Sequence, residues 1–237
     1  MIDDLAALGP YFAAAAHDPA TEPRAPWRSM GELLDEPTMV EERVTAVRTF
    51  LAGAGGLAPE SIELRVAASV MHLGLSARVL SPLYGLAVLG RPAPPLSLRA
   101  LRWQPAAGSM FPLSMPAFDQ PAAEIDIPQM AQLAEELCEI MRPFGVSRHV
   151  LRGNIASSLN GARVALSSAA PQHAAAAQRV LDGLLTSDTL TGTAGTSFDG
   201  RFQRRSCCLI YRAAPDRRGQ GCGDCVLIDR LRPPARR

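Results

Sequence analysis

The sequence contains no lysine, so every one of its 24 Lys and Arg positions is an arginine. It also lacks an uninterrupted apolar run of the roughly 20 residues that a membrane-spanning helix needs. The best candidate, residues 66–89, is interrupted by His72, Arg78 and Pro82. Glycine-rich nucleotide-binding fingerprints of the Rossmann and P-loop types are absent too. We therefore expect no membrane span and no flavin or nicotinamide site.

The first residues lack the positive charge of a secretory signal. Asp3 and Asp4 stand where such a signal is basic, and Gly9 and Pro10 break the apolar stretch that follows. We therefore expect a cytoplasmic protein. With 237 residues, of which 47% are hydrophobic and 20% charged, the chain can bury a core without disulfide bonds.

Apolar periodicity predicts an α+β fold with a mostly helical body. An N-terminal helical segment is expected over residues 1–58, with one helical stretch near 2–16, interrupted near Pro10, and another near 36–52. A mainly helical body follows over residues 59–200. Its first helix starts at Pro59 and should end or kink at Pro82, and later helices are expected at 128–142, 147–168 and 171–185.

Proline-rich and polar stretches separate these helices. Residues 91–128 contain eight prolines and predict a small β-containing middle segment. Residues 184–200 are rich in Thr, Ser and Gly and predict a connector. A third, cysteine-rich module is expected over residues 201–237, with β-prone pieces at 209–211 and 226–228.

The C-terminal module concentrates positive charge and cysteine together. Residues 201–237 contain ten arginines against three aspartates, and four of the five cysteines. A GC-rich genome accounts for the use of arginine in place of lysine, but not for this clustering. The coincidence indicates a site where positive charge accompanies thiolates.

The four cysteines form an adjacent pair, Cys207 and Cys208, followed after 13 residues by Cys222-x-x-Cys225. Zinc sites prefer ligand pairs that are spaced by two or more residues. A [2Fe-2S] cluster offers two metal centres and tolerates the adjacent pair. We therefore favour a [2Fe-2S] cluster, with a structural zinc site or reversible disulfides as alternatives. The fifth cysteine, Cys138, lies alone on an apolar helix and is predicted to be part of the core.

A cluster bound by four thiolates is an anion, and its negative charge increases on reduction. Arginines close to it in sequence are predicted to compensate this charge and raise the reduction potential. The candidates are Arg204, Arg205, Arg212, Arg217 and Arg218.

The run RSCCLIYR, residues 205–212, is similar to the signature of the FhuF family of ferric iron reductases. Members of that family end in a [2Fe-2S] module with an adjacent cysteine pair and a Cys-x-x-Cys pair. Residues 67–82 resemble the central helix of the family, and residues 151–158 resemble its Gly-Asn segment. This chain has a longer loop between the cysteine pairs, and Arg152 stands where the family often has tryptophan. The resemblance covers about residues 60–230.

The resemblance implies a cytoplasmic enzyme that reduces Fe(III) in ferric siderophores by one-electron transfer and releases Fe(II). Siderophore oxygen donors bind Fe(III) far more tightly than Fe(II), so reduction is a release mechanism. A ferredoxin or flavoprotein would donate the electron. Cys207, Cys208, Cys222 and Cys225 would hold the cluster, and the five arginines would attract an anionic siderophore.

Two other functions stay open at this point. The chain could be an interaction protein with a structural four-cysteine zinc site, or a [2Fe-2S] carrier or sensor without its own substrate. Nucleic acid is not expected, because only Phe202 and Tyr211 offer stacking rings among the arginines. Peripheral contact with the inner face of the membrane is left open. His72 and the Gly153-Asn154 segment are predicted to be structural, with a substrate or cluster contact as the alternative.

Overall fold

The computed structural model describes residues 3–92, 97–106, 110–117, 127–215 and 221–227. The α-helices in these residues are α1 Glu32–Asp35, α2 Pro37–Ala54, α3 Leu64–Val88, α4 Ile127–Ile140, α5 Arg148–Ala169 and α6 Ala174–Leu185. The strands are β1 Ala15–His17, β2 Arg28–Ser29, β3 Arg102–Trp103, β4 Leu113–Pro116, β5 Ala194–Thr196 and β6 Phe202–Arg204. The predicted α+β class with a mostly helical body is confirmed.

Helix α3 lies at the centre of the molecule, in contact with α2, α4, α5 and α6. It is apolar around most of its circumference, which is typical of a helix enclosed by others. By length and composition it is also able to cross a membrane, but 78% of its apolar window is buried inside the fold. A buried core helix meets the same criteria, so this observation is weak evidence for a span.

The prediction that Pro82 ends this helix is wrong, because α3 continues to Val88, and the alternative that Pro82 kinks the helix stays a prediction. Proline removes one helical hydrogen bond, and packing on neighbouring helices can offset that loss. Packing of this kind holds the helical turn that follows Pro82. Leu83, Tyr84 and Leu86 are fully buried, and the Tyr84 hydroxyl donates a hydrogen bond to the Ala177 carbonyl of α6.

The N-terminal stretch, predicted to be helical over residues 2–16 with an interruption near Pro10, is helical only before that interruption. A short 3-10 helix, Asp3–Leu8, ends at Gly9, whose φ of 125° is open to glycine alone among ordinary residues. The chain then enters β1, which pairs in parallel with β4 in a four-stranded sheet of order β1-β4-β3-β2. The small sheet predicted in the middle segment is therefore present, but two of its strands come from the N-terminal residues.

Arg78 of α3 connects this sheet to the helices. Its side chain is buried, and its three nitrogens donate to the carbonyls of Phe111 (2.9 Å), Tyr11 (3.0 Å) and Ala13 (2.7 Å). Burial lowers the pKa of Arg78 to about 10. The side chain holds the N-terminal segment and the approach to β4 against α3.

The cysteine-rich module begins with a β-hairpin and continues in a 3-10 helix. Residues 184–200, predicted to be a connector, contain β5, which pairs antiparallel with β6. Residues 209–211, predicted to be β-prone, enter a 3-10 helix, Ile210–Ala213. Leu209 has a φ of 70°, which turns the chain out of extended conformation just before that helix.

A small second core attaches this module to the helical body. It contains Ala52 of α2, Ile62, Val66 of α3 and Ala213 of the 3-10 helix, with Leu209 packed against it. The main core takes residues from both the N-terminal segment and the helices after it. The cysteines are therefore fixed between the ends of α2 and α3 on one side and α5 on the other. The division at residues 58 and 200 stays a prediction.

Candidate metal centre

The four cysteines of the module occupy two short segments that follow β6. Cys208 and Cys225 are buried, whereas Cys207 and Cys222 are half-buried. All four are free thiols. The site therefore has one buried side, directed into the fold, and one side that reaches the surface.

The thiols interact directly with one another. Cys208 takes part in side-chain hydrogen bonds with Cys207 and with Cys222, and these bonds hold the pKa of Cys208 well below its usual value. The same bonds, followed by burial, raise the pKa of Cys207 and of Cys222. Negative charge on Cys225 raises the pKa of both Cys207 and Cys222 further. Cys207 and Cys222 thus both contact Cys208, and Cys225 lies near enough to act on two of these thiols through its charge.

The arrangement of the four thiols differs from that of ligands around a single metal ion. In the described part of the chain, no three His, Cys, Asp or Glu side chains have the arrangement that would hold one metal ion. The sulfurs instead form linked pairs around Cys208. Linked pairs of this kind fit a two-iron cluster, because such a cluster distributes its four ligands over two metal centres.

Backbone amides also point at the sulfur atoms. The Leu209 N–H donates to Cys207 Sγ at 3.3 Å, and the Leu227 N–H donates to Cys225 Sγ at 3.3 Å. The Ile210 N–H bonds to Cys208 and lowers its pKa. Such amides stabilise negative charge on thiolates, and they tune iron-sulfur clusters. The positive φ of Leu209 costs of order 1 kcal/mol, a strain that is typical of ligand-holding turns.

Helix α5 anchors the loop that carries the second cysteine pair. Asp224 lies between Cys222 and Cys225, and its carboxylate accepts from Ser157 Oγ at 2.6 Å and from Asn160 Nδ2 at 3.3 Å. Its backbone carbonyl accepts from the Arg204 N–H at 3.1 Å. Asp224 therefore joins the loop to α5 and to β6 at once.

Ser157 and Asn160, which hold Asp224, were not among the site residues predicted from the sequence. The two residues are three positions apart, which places them on the same face of a helix, and this spacing is the signal for them that the sequence contains. That spacing does not say what faces them, because Asp224 is more than 60 residues away in the chain.

Arg204 is fully buried beside the cysteines, at 0% exposure. Its Nε donates to the Ser206 carbonyl at 2.6 Å, and its Nη2 donates to Asn154 Oδ1 at 2.6 Å. Within the described residues its Nη1 has no hydrogen-bond partner. Arg204 is also among the causes that lower the pKa of Cys208, and it acts in the same direction on Cys222. A buried cation with a free donor is the environment that a buried anionic cluster requires.

The Gly153-Asn154 segment makes this arrangement possible. A Cβ at position 153 would lie 2.0 Å from Oγ of Ser206, which follows β6, so a larger residue here would force the Ser206 side chain or its segment to shift. Asn154 is fully buried and donates through Nδ2 to the Ser69 carbonyl at 2.9 Å. Its amide thus connects α3 to Arg204 across α5.

His72 belongs to the same buried network. Its Nδ1 lies 3.4 Å from Asn154 Nδ2, and the residue is fully buried. Burial, and then the charge of Arg204, lowers the pKa of His72 to about 3, so the imidazole is neutral near pH 7. This position fits the structural role predicted for it.

Among the candidate arginines that the structure describes, Arg205 and Arg212 are placed differently from Arg204. Arg205 is exposed, and Arg212 pairs with Glu63 at 2.6 Å. Arg217 and Arg218 lie outside the described residues. Cys138 is buried in α4, and burial raises its pKa to about 12, as fits a core thiol.

Comparison with known proteins agrees with this local picture. No curated protein and no solved structure matches the chain. Residues 204–227 match the family model described as the FhuF 2Fe-2S C-terminal domain, which confirms the resemblance over these residues. The matched range begins at Arg204 and includes all four cysteines, and their free thiols, donor amides and buried cation fit a [2Fe-2S] cluster. This chain therefore has a C-terminal [2Fe-2S] domain of the FhuF type.

Proposed function

We propose that this protein is a ferric-siderophore reductase, which passes one electron from its [2Fe-2S] cluster to siderophore-bound Fe(III) and releases Fe(II). The match of residues 204–227 to the FhuF 2Fe-2S domain is the observation that carries the proposal. Cys207, Cys208, Cys222 and Cys225 would hold the cluster. When bound, the cluster supplies a single electron at a time, which is what the reduction of Fe(III) to Fe(II) needs.

The exposure of the cysteines supports exchange with an external partner. Cys207 and Cys222 are half-buried, and Gly223 and Val226 beside them are exposed. Cys208 and Cys225 face the interior. A donor or a ferric siderophore would approach from the Cys207 and Cys222 side, because the opposite side is covered by helices.

The exposed arginine next to this side would favour an anionic siderophore. Arg205 precedes the first cysteine pair and is exposed. Arg212 is compensated by Glu63, so it contributes less to the surface field. Attraction of this kind depends on ionic strength, since exposed charges are screened within about 8 Å at physiological salt. Arg217 and Arg218 remain candidates from the sequence.

We also propose a cellular compartment and an electron donor for this protein. Four closely spaced thiols stay available to iron in a reducing compartment, so we place the protein in the cytoplasm. The electron would come from a ferredoxin or a flavoprotein. No role for nucleic acid is proposed. Contact with the inner face of the membrane would be peripheral.

The test uses the full chain, purified without oxygen and reduced with dithionite. Iron and sulfide analysis should give about two of each per chain, with the visible absorption of a [2Fe-2S] cluster. The reduced protein is then mixed with an anionic ferric catecholate, a cationic ferric hydroxamate or ferric-EDTA. We expect reoxidation of the protein together with capture of Fe(II) by a ferrous chelator, at a rate that saturates as the concentration of the ferric siderophore rises.

The control acceptor distinguishes the proposal from a carrier or sensor without its own substrate. Ferric-EDTA is a small chelate that lacks the shape of a siderophore. Its reduction should follow a rate that rises linearly with its concentration, because no specific complex forms. If both siderophores gave the same linear dependence, the reductase proposal would fail and the carrier interpretation would replace it. A colourless protein that contains zinc would overturn the cluster assignment as well.

A further inference from the structure

Arg204 and Asn154 form a buried pair that neither the sequence pattern nor the family match explains. Arg204 donates to Asn154 Oδ1 at 2.6 Å, and both side chains are fully buried. The remaining bonds of Arg204 go to the carbonyls of Ser206 and Val150 and to the Ser206 hydroxyl. These acceptors are neutral, so none of them cancels the charge of the guanidinium.

Asn154 is held in one orientation from its other side. Its Nδ2 donates to the Ser69 carbonyl at 2.9 Å and lies 3.2 Å from the Ser69 hydroxyl. Because the amide nitrogen faces α3, the amide oxygen must face Arg204. Rotation of the amide would place two donors against the guanidinium and leave the Ser69 carbonyl without this bond.

We propose that Asn154 is a positioning residue that holds the buried charge of Arg204 beside Cys208 and Cys222, and that this one charge sets the reduction potential of the cluster. The exposed and paired arginines of the module would contribute little. The proposal rests on the [2Fe-2S] assignment and is independent of the siderophore substrate.

The burial of Arg204 is the reason to single it out among the arginines. A charge in a region of low dielectric acts on its neighbours far more strongly than a charge in water. Arg204 acts on both Cys208 and Cys222, whereas Arg212 is neutralised by Glu63 and Arg205 is screened by solvent. Positive charge favours the more negative, reduced state of the cluster, so Arg204 should raise the potential.

The experiment compares four variants of the full holoprotein by redox titration, with cluster absorption as the signal. Arg204→Gln removes the charge. Asn154→Asp keeps the shape of Asn154 but places a carboxylate on the guanidinium. Asn154→Ala removes the bond that orients Arg204. Arg205→Gln is the matched control, since it makes the same change at the next residue on an exposed side chain.

We expect Arg204→Gln and Asn154→Asp each to lower the ratio of reduced to oxidised protein about tenfold at a fixed applied potential. For a one-electron couple this corresponds to about 59 mV. Asn154→Ala should lower the ratio less, and Arg205→Gln should change it less than twofold. The effects at Arg204 and Asn154 should persist at high salt, because buried charges are poorly screened.

Several results would overturn the proposal. An equal shift in Arg204→Gln and Arg205→Gln would mean that the buried charge is not special. An unchanged potential in Asn154→Asp, with iron content intact, would remove Asn154 from the mechanism. Loss of the cluster in both Arg204→Gln and Asn154→Asp would assign the pair a structural role instead. None of these measurements contains a siderophore, so their failure would leave the reductase proposal standing.

Discussion

Two regions of this molecule bury an arginine, and they do so in different ways. Where α3 meets the N-terminal segment and the sheet, Arg78 gives each of its three nitrogens a backbone carbonyl. Where α5 meets the cysteine module, Arg204 leaves Nη1 without a partner among the described residues. A complete set of acceptors is typical of a structural clamp. An incomplete set leaves Arg204 with a donor that the proposed interaction with the cluster can use.

Two cysteines, one in the helical core and one in the cysteine-rich module, give the strongest test of the difference between a structural region and the cluster region. Cys138 lies in the core beside α3, and Cys208 lies in the module. We expect Cys208→Ser to abolish the cluster, since it removes the thiol that contacts two others, whereas Cys138→Ser should keep both iron atoms. Iron, sulfide and visible absorption measure the difference. Retention of the cluster in Cys208→Ser with its loss in Cys138→Ser would refute the ligand assignment.

The next largest effect is expected at Arg78. Arg78→Gln leaves buried carbonyls unsatisfied, each at a cost of about 1–3 kcal/mol, so the free energy of unfolding should fall by several kcal/mol. The reduction potential should not move, because this region does not reach the cysteines. Denaturant unfolding and redox titration provide the two readings. Arg91→Gln is the control at an exposed arginine, with an expected change within about 0.5 kcal/mol. A shifted potential in Arg78→Gln would contradict the separation of the two regions.

Gly153 and Gly161, both in α5, provide a matched pair of variants that tests how closely α5 packs against the cysteine-rich module. Gly153→Ala places a methyl group 2.0 Å from Ser206 Oγ, and we expect a loss of about 1–3 kcal/mol together with reduced cluster content. Gly161 has nothing within 4 Å of its added Cβ, so Gly161→Ala should gain up to about 1 kcal/mol from helix propensity. Thermal unfolding and iron content distinguish them. If the two variants had the same stability and the same iron content, Ser206 would not lie as close to Gly153 as described.

The last expected effect concerns the pH dependence of stability and His72, which lies on α3 but reaches the Arg204 network. Its pKa is lowered to about 3 in the folded protein, against 6.5 for the free side chain. The unfolded chain therefore binds a proton that the folded chain rejects, and stability should fall as the pH decreases from about 6.5 towards 3. The slope should not exceed about 1.4 kcal/mol per pH unit.

His72→Gln should flatten this dependence between pH 6.5 and 5, as measured by urea unfolding at several pH values. His173, which is partly exposed, provides the control as His173→Gln. If the profile of His72→Gln remained as steep as that of the parent protein, another buried group would have to carry the pH dependence.

The sequence predicted those features that depend on local pattern. Helices α4, α5 and α6 have clear apolar periodicity and fall within a few residues of their predicted positions. The cysteine spacing predicted the [2Fe-2S] module, which the family match confirms. The assignment of individual ligands stays a prediction.

Features that depend on distant partners were not predictable in the same way. Strands β1 and β2 contain only three and two residues, which is too short for a period-two pattern. The continuation of α3 through Pro82 depends on packing around it. The bond from Asn154 to Arg204 joins residues 50 positions apart, so a single sequence gives no signal for it.

The anchoring of Asp224 has a consequence for the length of the chain between the cysteine pairs. The Arg204 N–H meets the Asp224 carbonyl, and Gln203 Nε2 donates to the Cys225 carbonyl at 3.3 Å, so both ends of the connection are fixed independently of its middle. Closing a longer loop between fixed ends costs entropy that grows only with the logarithm of its length, about 0.6 kcal/mol for each doubling. Within the 13 residues between Cys208 and Cys222, the part that follows Ala213 can therefore differ in length at a modest cost in free energy. Residues 209–213 cannot, because they donate to Cys207 Sγ and pack in the second core.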